Sequence, residues 1–143
     1  MPARITEFQN EYRFLSNFYP SEVHLDGAVY PSVEAAFQAA KCLDPALRKP
    51  FETMNPSQAK HAGRHVDLRP DWDQVRIAVM TELVKDKFTR HTDLQTKLLA
   101  TGDAELLEGN TWHDTFWGVD LKTMRGENHL GIILMELRSQ LRR

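Results

Sequence analysis

A glutamate, a glutamine and a lysine recur at helical spacing in the stretch YPSVEAAFQAAK, residues 30–41. Glu34, Gln38 and Lys41 follow one another at i, i+4 and i+7, so they share one face of a helix. That face is either a solvated helix surface or the wall of a cleft that presents a carboxylate, an amide and an ammonium group. The spacing alone does not choose between these interpretations.

A second segment rich in reactive side chains is LLEGNTWHDTFWGVDL, residues 106–121, whose glycines and asparagine predict a loop. Its large aromatic residues either close one end of the core or offer flat faces on which a ring can stack: Trp112, Phe116 and Trp117. In the second case, Asp114, Asn110 and Glu108 supply the few directional polar groups that a ligand pocket needs. The stretch EYRFLSNFYP, residues 11–20, has a similar composition, with Asn17 between aromatic residues.

Several kinds of chemistry lack their usual sequence patterns. There is no glycine-rich phosphate loop and no H-E-x-x-H metal motif. His61 and His65 are four residues apart, but Gly63 lies between them and no third ligand is near, which disfavours zinc. Cys42 has no surrounding cysteine-histidine signature and is interpreted as a small core residue. We therefore expect a mechanism without metal or cofactor, in which carboxylates are the acid-base groups.

Local signals predict a mainly helical chain. Ser32 is an N-cap for the helix that carries Glu34, and Asp26-Gly27 favours a tight turn in a two-stranded ribbon. Two further helices are predicted to begin at capping boxes, Asn55 with Gln58 and Asp71 with Gln74. Apolar residues on more than one stripe of the second predict a helix packed on two sides. The C-terminal leucines and isoleucine predict an amphipathic helix over residues 130–141.

Composition limits the class of protein. The 143 residues suit one compact domain, predicted to be residues 1–143. The 18 basic and 20 acidic residues give a net charge of −2, which disfavours bulk nucleic-acid binding. A single cysteine suits a reducing compartment, and no apolar run reaches the roughly 18 residues of a membrane span. We expect a soluble, cytoplasmic protein; the sequence gives no oligomeric state.

An ordered set of motifs connects the chain to a known family. The motifs are FLSNFYP, YPSVEAAFQAAK, AKHAGR, LRPDW, KF, LLATGDAELLEGN, WHDTFWGV and GENHLGIILMELR. In this order they resemble the NADAR superfamily, the YbiA-like proteins, from Phe8 to about Arg138. The resemblance implies a mainly helical α+β fold with a small β-ribbon. It also implies hydrolysis of an N-glycosidic bond between a ribose carbon and an amino nitrogen.

The resemblance implies a substrate class as well. YbiA-like proteins act on phosphoribosylated aminopyrimidine intermediates of riboflavin biosynthesis, whereas other branches resemble hydrolases that remove ADP-ribose from guanine in nucleic acid. A non-catalytic module that binds NAD or ADP-ribose is a third reading. This chain departs from the family pattern at Ala35, where a histidine is usual, and at His113, where a glycine is usual. Both departures bear on which substrate is accepted.

Site residues follow as hypotheses. Glu34 and Asp114 are the predicted catalytic carboxylates, one acting on water and the other on the ribose or the leaving group, with the roles unassigned. The other predicted site residues bind substrate. Phosphate contacts are assigned to Lys41, Arg13 and Arg76, stacking to Phe18 and Trp117, and hydrogen bonds to Asn17 and Asn110. Arg76 has a surface ion-pair role as its alternative, and Trp72 is assigned to packing.

Overall fold

The computed structural model describes residues 2–143 and divides the chain into two compact units. One unit combines the chain up to Ser16 with Thr92–Arg143, and the other is Asn17–His91. In chain order, the strands are β1 (Arg4–Ile5), β2 (Val23–Leu25), β3 (Ala28–Tyr30), β4 (Glu105–Leu106), β5 (Gly109–Asn110) and β6 (Val119–Asp120). The α-helices are α1 (Val33–Ala39), α2 (Pro45–Arg48), α3 (Pro56–Gly63), α4 (Trp72–Arg90), α5 (Thr92–Ala100) and α6 (His129–Leu141), and 3₁₀ helices cover Asn10–Leu15 and Lys49–Thr53.

Strands β2 and β3 form the predicted ribbon in the unit Asn17–His91. They are antiparallel, with Val23 opposite Tyr30, and both of these residues are buried. The turn residues Asp26 and Gly27 both have positive φ, +49° and +84°, which is the backbone of a tight two-residue hairpin turn. The ribbon prediction is confirmed.

Helix α1 begins where the sequence predicts. The hydroxyl of Ser32 accepts a hydrogen bond from the backbone N–H of Ala35 at 3.1 Å, which satisfies one of the open donors of the first turn. All seven residues of α1 are buried, and α3 and α4 pack against the helix. The face that carries Glu34 and Gln38 is therefore not a solvated surface.

The two predicted capping boxes have different outcomes. At the start of α3, Asn55 and Gln58 exchange the expected hydrogen bonds at 2.8 and 3.0 Å. Asp71 makes no cap to α4, because both of its carboxylate oxygens accept from the guanidinium of Arg69, at 2.7 and 3.0 Å. The prediction of the second capping box was wrong, although the helix predicted to begin there does form.

Helix α4 packs mainly on one face. Its buried residues are Trp72, Met80, Leu83, Val84, Lys87 and Phe88. Ile77 is 40% exposed, so the prediction of a helix packed on two sides was wrong. The Trp72 ring lies 5.0 Å from that of Phe37, which confirms its packing role. No helix in residues 2–143 has both the length and the apolar character needed to cross a membrane.

The other unit is held by parallel strand pairs and α6. β1 pairs with β4, and β5 pairs with β6. The apolar stripe predicted for α6 is buried at Leu130, Ile133, Leu134 and Leu137. On the same helix, the buried guanidinium of Arg138 donates to the Thr101 hydroxyl and to the Ala104 carbonyl, each at 2.8 Å. These bonds fix α6 to the segment that joins α5 and β4.

Candidate active site

The carboxylate of Glu34 lies inside the unit Asn17–His91. Glu34 is 9% exposed and Gln38 is 6% exposed. The Gln38 amide donates from Nε2 to Glu34 Oε2 at 2.7 Å. The backbone N–H of Glu34 donates to the carbonyl of Asn17 at 3.1 Å, which ties the start of α1 to a second predicted site residue. Burying a carboxylate costs free energy unless the carboxylate is hydrogen-bonded, and the Gln38 amide supplies one such bond. A glutamate placed only to keep the protein soluble would lie on the surface.

Gly63, at the end of α3, lies directly against Gln38. A Cβ atom at position 63 would be 1.9 Å from Gln38 Oε1 and 2.6 Å from its Cδ. A side chain at position 63 would therefore require the Gln38 amide to move. Oε1 itself is buried and makes no hydrogen bond with the part of the chain that the structure describes.

Lys41 follows α1 and is half-buried. Its Nζ is 3.5 Å from the carbonyl oxygen of Gly63, and its own carbonyl accepts from the backbone N–H of Arg69 at 2.9 Å. Burial lowers the pKa of Lys41; the charge of Glu34 opposes that shift, and the charge of Arg64 adds to it. Lys41 therefore lies within electrostatic range of both the buried carboxylate and a second cation.

Three more predicted site residues belong to the same unit. Asn17 donates its side-chain amide to the sulfur of Met80 at 3.5 Å. The ring of Phe18 has the ammonium of Lys60 5.8 Å from its centre. Arg76 is partly buried and lies on α4 four residues from both Trp72 and Met80, on the packed side of the helix. The unit thus contains Asn17, Phe18, Glu34, Lys41 and Arg76.

Lys87 is a candidate that the sequence analysis missed. It is 1% exposed, and its Nζ lies 5.6 Å from the ring centre of Tyr19 and 5.1 Å from that of Phe88. Burial lowers its pKa to about 7. The signal in the sequence was its position on the stripe of Met80 and Leu83, seven and four residues earlier, where an apolar residue would be expected.

The loop that carries Asp114 is held by its own side chains. Asn110 is 1% exposed; its Nδ2 donates to the Asp114 carbonyl, and its Oδ1 accepts from the Asp114 N–H, both at 2.9 Å. Asp114 Oδ1 accepts from the backbone N–H groups of Phe116 and Trp117, at 3.1 and 2.9 Å. Oδ2 of Asp114 makes no hydrogen bond within residues 2–143. Asn110 thus positions the loop, and Asp114 keeps one oxygen for other partners.

The aromatic residues of this loop are not equivalent. Trp117 and Phe116 are partly exposed and meet edge to face, with ring centres 4.8 Å apart, and the His129 ring lies 4.4 Å from Phe116. Trp112 is 54% exposed, so the interpretation that it closes the core was wrong. Arg13 is exposed on the first 3₁₀ helix of the same unit. This unit thus contains Arg13, Asn110, Asp114 and Trp117.

The two positions at which the chain departs from the family pattern have distinct environments. Ala35 is completely buried in α1. His113 is exposed and has φ +64°, a left-handed backbone that favours glycine. Its Nδ1–H donates to Asp120 Oδ2 at 2.7 Å.

Comparison with known proteins identifies the family. The NADAR domain family matches residues 5–142. N-glycosidase YbiA of Escherichia coli is 38% identical over 135 residues, which cover 92% of this chain and 83% of that protein. N-glycosidase Npun_R5314 of Nostoc punctiforme is also 38% identical, over 137 residues, with coverage of 92% and 86%. Riboflavin biosynthesis protein VVA0006 of Vibrio vulnificus is 38% identical over 143 residues, and this chain spans 38% of its length.

The fold agrees with the sequence match. The NMR structure of E. coli YbiA superimposes with a TM-score of 0.86 at 36% identity, covering 99% of this chain and 87% of that one. The predicted class, a mainly helical α+β fold, is confirmed. The chain belongs to the NADAR domain family.

Proposed function

We propose that this protein is an N-glycosidase that hydrolyses the ribosyl C–N bond of phosphoribosylated aminopyrimidines, the intermediates of riboflavin biosynthesis. The observation that carries the proposal is the burial of the Glu34 carboxylate, hydrogen-bonded to Gln38, in a unit that also contains Lys41 and Asn17. Support also comes from the relatives, two of which are named N-glycosidases and one a riboflavin biosynthesis protein.

The reaction defines what the residues must do. As the bond between the anomeric carbon and nitrogen breaks, positive charge develops on the ribose ring and the electron pair leaves with nitrogen. Water then adds to the anomeric carbon and loses a proton, while the leaving nitrogen gains one. The site therefore needs a carboxylate near the ring, a positioned water molecule and a proton donor.

The carboxylates and one lysine match these needs. Glu34 and Asp114 are the proposed catalytic residues; one positions or deprotonates water, and the other orients the ribose or protonates the leaving nitrogen. Asp114 has an oxygen, Oδ2, that its own loop does not use. Lys87, with a pKa of about 7, is able to give or take a proton near neutral pH.

The remaining predicted residues bind the substrate in this proposal. Lys41, Arg76 and Arg13 contact phosphate, since an ammonium is a movable point charge and a guanidinium binds two oxygens at once. Phe18 and Trp117 stack on the base. Asn17 hydrogen-bonds to ribose or base; Asn110, whose amide is already bonded to its own loop, acts through the position of Asp114.

Domain extent and compartment are parts of the same proposal. We treat residues 1–143 as one functional domain, since the family match extends over nearly all of them. We assign the protein to a reducing, cytoplasmic compartment, where a free thiol such as the buried Cys42 stays reduced.

The test is product release from defined substrates. The purified protein is incubated separately with a phosphoribosylated aminopyrimidine and with DNA that carries ADP-ribosyl-guanine, and ribose phosphate or ADP-ribose is followed by chromatography. Release from the pyrimidine, abolished by Glu34→Gln, supports the proposal. Release from DNA alone makes the protein a de-ADP-ribosylating hydrolase. No release, together with calorimetric binding of ADP-ribose, makes it a binding module.

A further inference from the structure

We infer that Gln38 and Gly63 are positioning residues that fix the carboxylate of Glu34 for the reaction. The inference rests on the proposed function, because it assigns a task to the neighbours of a proposed catalytic group. Neither residue is proposed to touch the substrate. Their contribution is the orientation of the Glu34 carboxylate.

The direction of the Gln38 amide is set by Glu34. Nε2 donates to Glu34 Oε2 at 2.7 Å, whereas the reversed amide would place two oxygen acceptors against each other. The observed direction leaves Oε1 buried and without a hydrogen bond inside residues 2–143. An orphaned buried acceptor costs about 1–3 kcal/mol, a penalty that an apolar side chain of similar size would avoid.

Gly63 supplies the space that this amide direction requires. The three nearest atoms that a Cβ at position 63 would meet belong to Gln38, at 1.9, 2.6 and 3.2 Å. Gly63 does not have a positive φ, so alanine fits its backbone without strain and is the better helix former. Gly63→Ala is therefore a substitution whose steric conflict is with Gln38.

The contact also orients the carboxylate. The Gln38 N–H holds Oε2 of Glu34, and with it the plane of the carboxylate. In the proposed reaction, Glu34 positions water or stabilises the cation that develops on the ribose.

The experiment measures kcat and KM for ribose phosphate release in matched variants. Gln38→Met keeps the length of the side chain and removes the donor, and Gln74→Met makes the same change at an exposed position of α4. We expect Gln38→Met and Gly63→Ala each to lower kcat by about 10- to 100-fold, the effect of a misplaced reacting group, with KM changed less than about threefold. Gln74→Met should match the wild type.

A double-mutant cycle separates positioning from general damage. In a Gln38→Ala background the amide that Gly63→Ala would displace is gone, so the added alanine should cost little further activity. An undiminished loss in that background overturns the role of Gly63, and wild-type kcat in Gln38→Met overturns the inference as a whole. If Gly63→Ala does not fold, Gln38→Met alone decides. If wild-type protein releases no ribose phosphate, the proposed function fails instead, which is a distinct result.

Discussion

His113 donates a hydrogen bond from Nδ1 to the Asp120 carboxylate at 2.7 Å while its own backbone lies in the left-handed region, at φ +64°. A non-glycine residue is strained in that conformation. The imidazole is thus held beside Asp114 by a contact made seven residues further along the chain. The hydrogen bond is also the largest cause of the lowered pKa of Asp120, followed by the bond from the Lys122 N–H.

Two substitutions separate strain from hydrogen bonding at this position. Both His113→Gly and His113→Ala remove the imidazole, but only glycine relieves the backbone. We expect the alanine variant to be less stable than the glycine variant by about 1 kcal/mol in urea unfolding at pH 7. Because the Asp120 pKa is lowered on folding, its contribution is present above pH 4 and is lost as pH falls through the folded value. Both variants should lose less stability than the wild type on acidification; equal losses would contradict the assignment.

Asp114 combines a structural bond with a proposed chemical role. Asp114→Asn keeps an oxygen that can accept from the N–H groups of Phe116 and Trp117, whereas Asp114→Ala removes that acceptor. We expect Asn to lower turnover by orders of magnitude with near-native stability. Ala should in addition cost about 1–2 kcal/mol of unfolding free energy. Wild-type turnover in Asp114→Asn would reduce this carboxylate to a loop scaffold.

Lys41 is a proposed phosphate contact, half-buried and within electrostatic range of Glu34. Lys41→Met should raise KM for the phosphorylated substrate by about 10- to 100-fold, since one charge-assisted hydrogen bond is lost. KM for the dephosphorylated nucleoside should stay within a few-fold of the wild type. Lys49→Met, at an exposed lysine of the same unit, is the control. An equal rise in KM for both substrates would assign Lys41 to fold maintenance.

Lys87 gives the protein a measurable dependence of stability on alkaline pH. Its folded pKa of about 7 lies below the value of about 10.4 in an unfolded chain, so the unfolded state binds more protons between these limits. The free energy of unfolding should therefore rise with pH from about 7 to about 10, by up to about 1.4 kcal/mol per pH unit. Lys87→Met should remove this rise. Lys85→Met, at an exposed position two residues earlier on α4, should retain it.

Arg138 tests the packing of the other unit. Its guanidinium donates hydrogen bonds to the Thr101 hydroxyl and to the Ala104 carbonyl. Arg138→Met removes both hydrogen bonds. We expect a loss of about 2–4 kcal/mol in chemical unfolding. Arg142→Met removes an exposed pair with Asp103 and should cost at most about 1 kcal/mol. Similar losses in the two variants would contradict the importance of burial.

Local chemistry explains which features were predictable from sequence. The Ser32 cap and the Asn55–Gln58 box depend on residues within three positions, and both form. The Asp71 box fails because Arg69 is a nearer partner for the same carboxylate, a competition that cap patterns do not include. The sequence signals that predicted the ribbon, α1 and the C-terminal apolar stripe likewise depend on residues close together in the chain.

The features of the site that the sequence did not predict depend on contacts between distant segments. Gly63 meets Gln38 across the interface of two helices, and no periodicity within either helix indicates that approach. Lys87 reads as an ordinary helix lysine until its neighbours on the stripe are known to be buried. The exposure of Ile77 and Trp112 has the same origin, since an apolar side chain alone does not reveal whether a packing partner exists.

The pairing of β1 with β4 has a consequence for the order of folding during synthesis. Arg4 and its partner Glu105 are 101 positions apart, so the first strand leaves the ribosome long before the strand it pairs with. The segment Asn17–His91 is fully synthesised before Thr92–Arg143, which is the larger part of the other unit. Because closing a long loop must precede such a pairing, Arg4 and Ile5 reach their partners only after the whole intervening segment has been made.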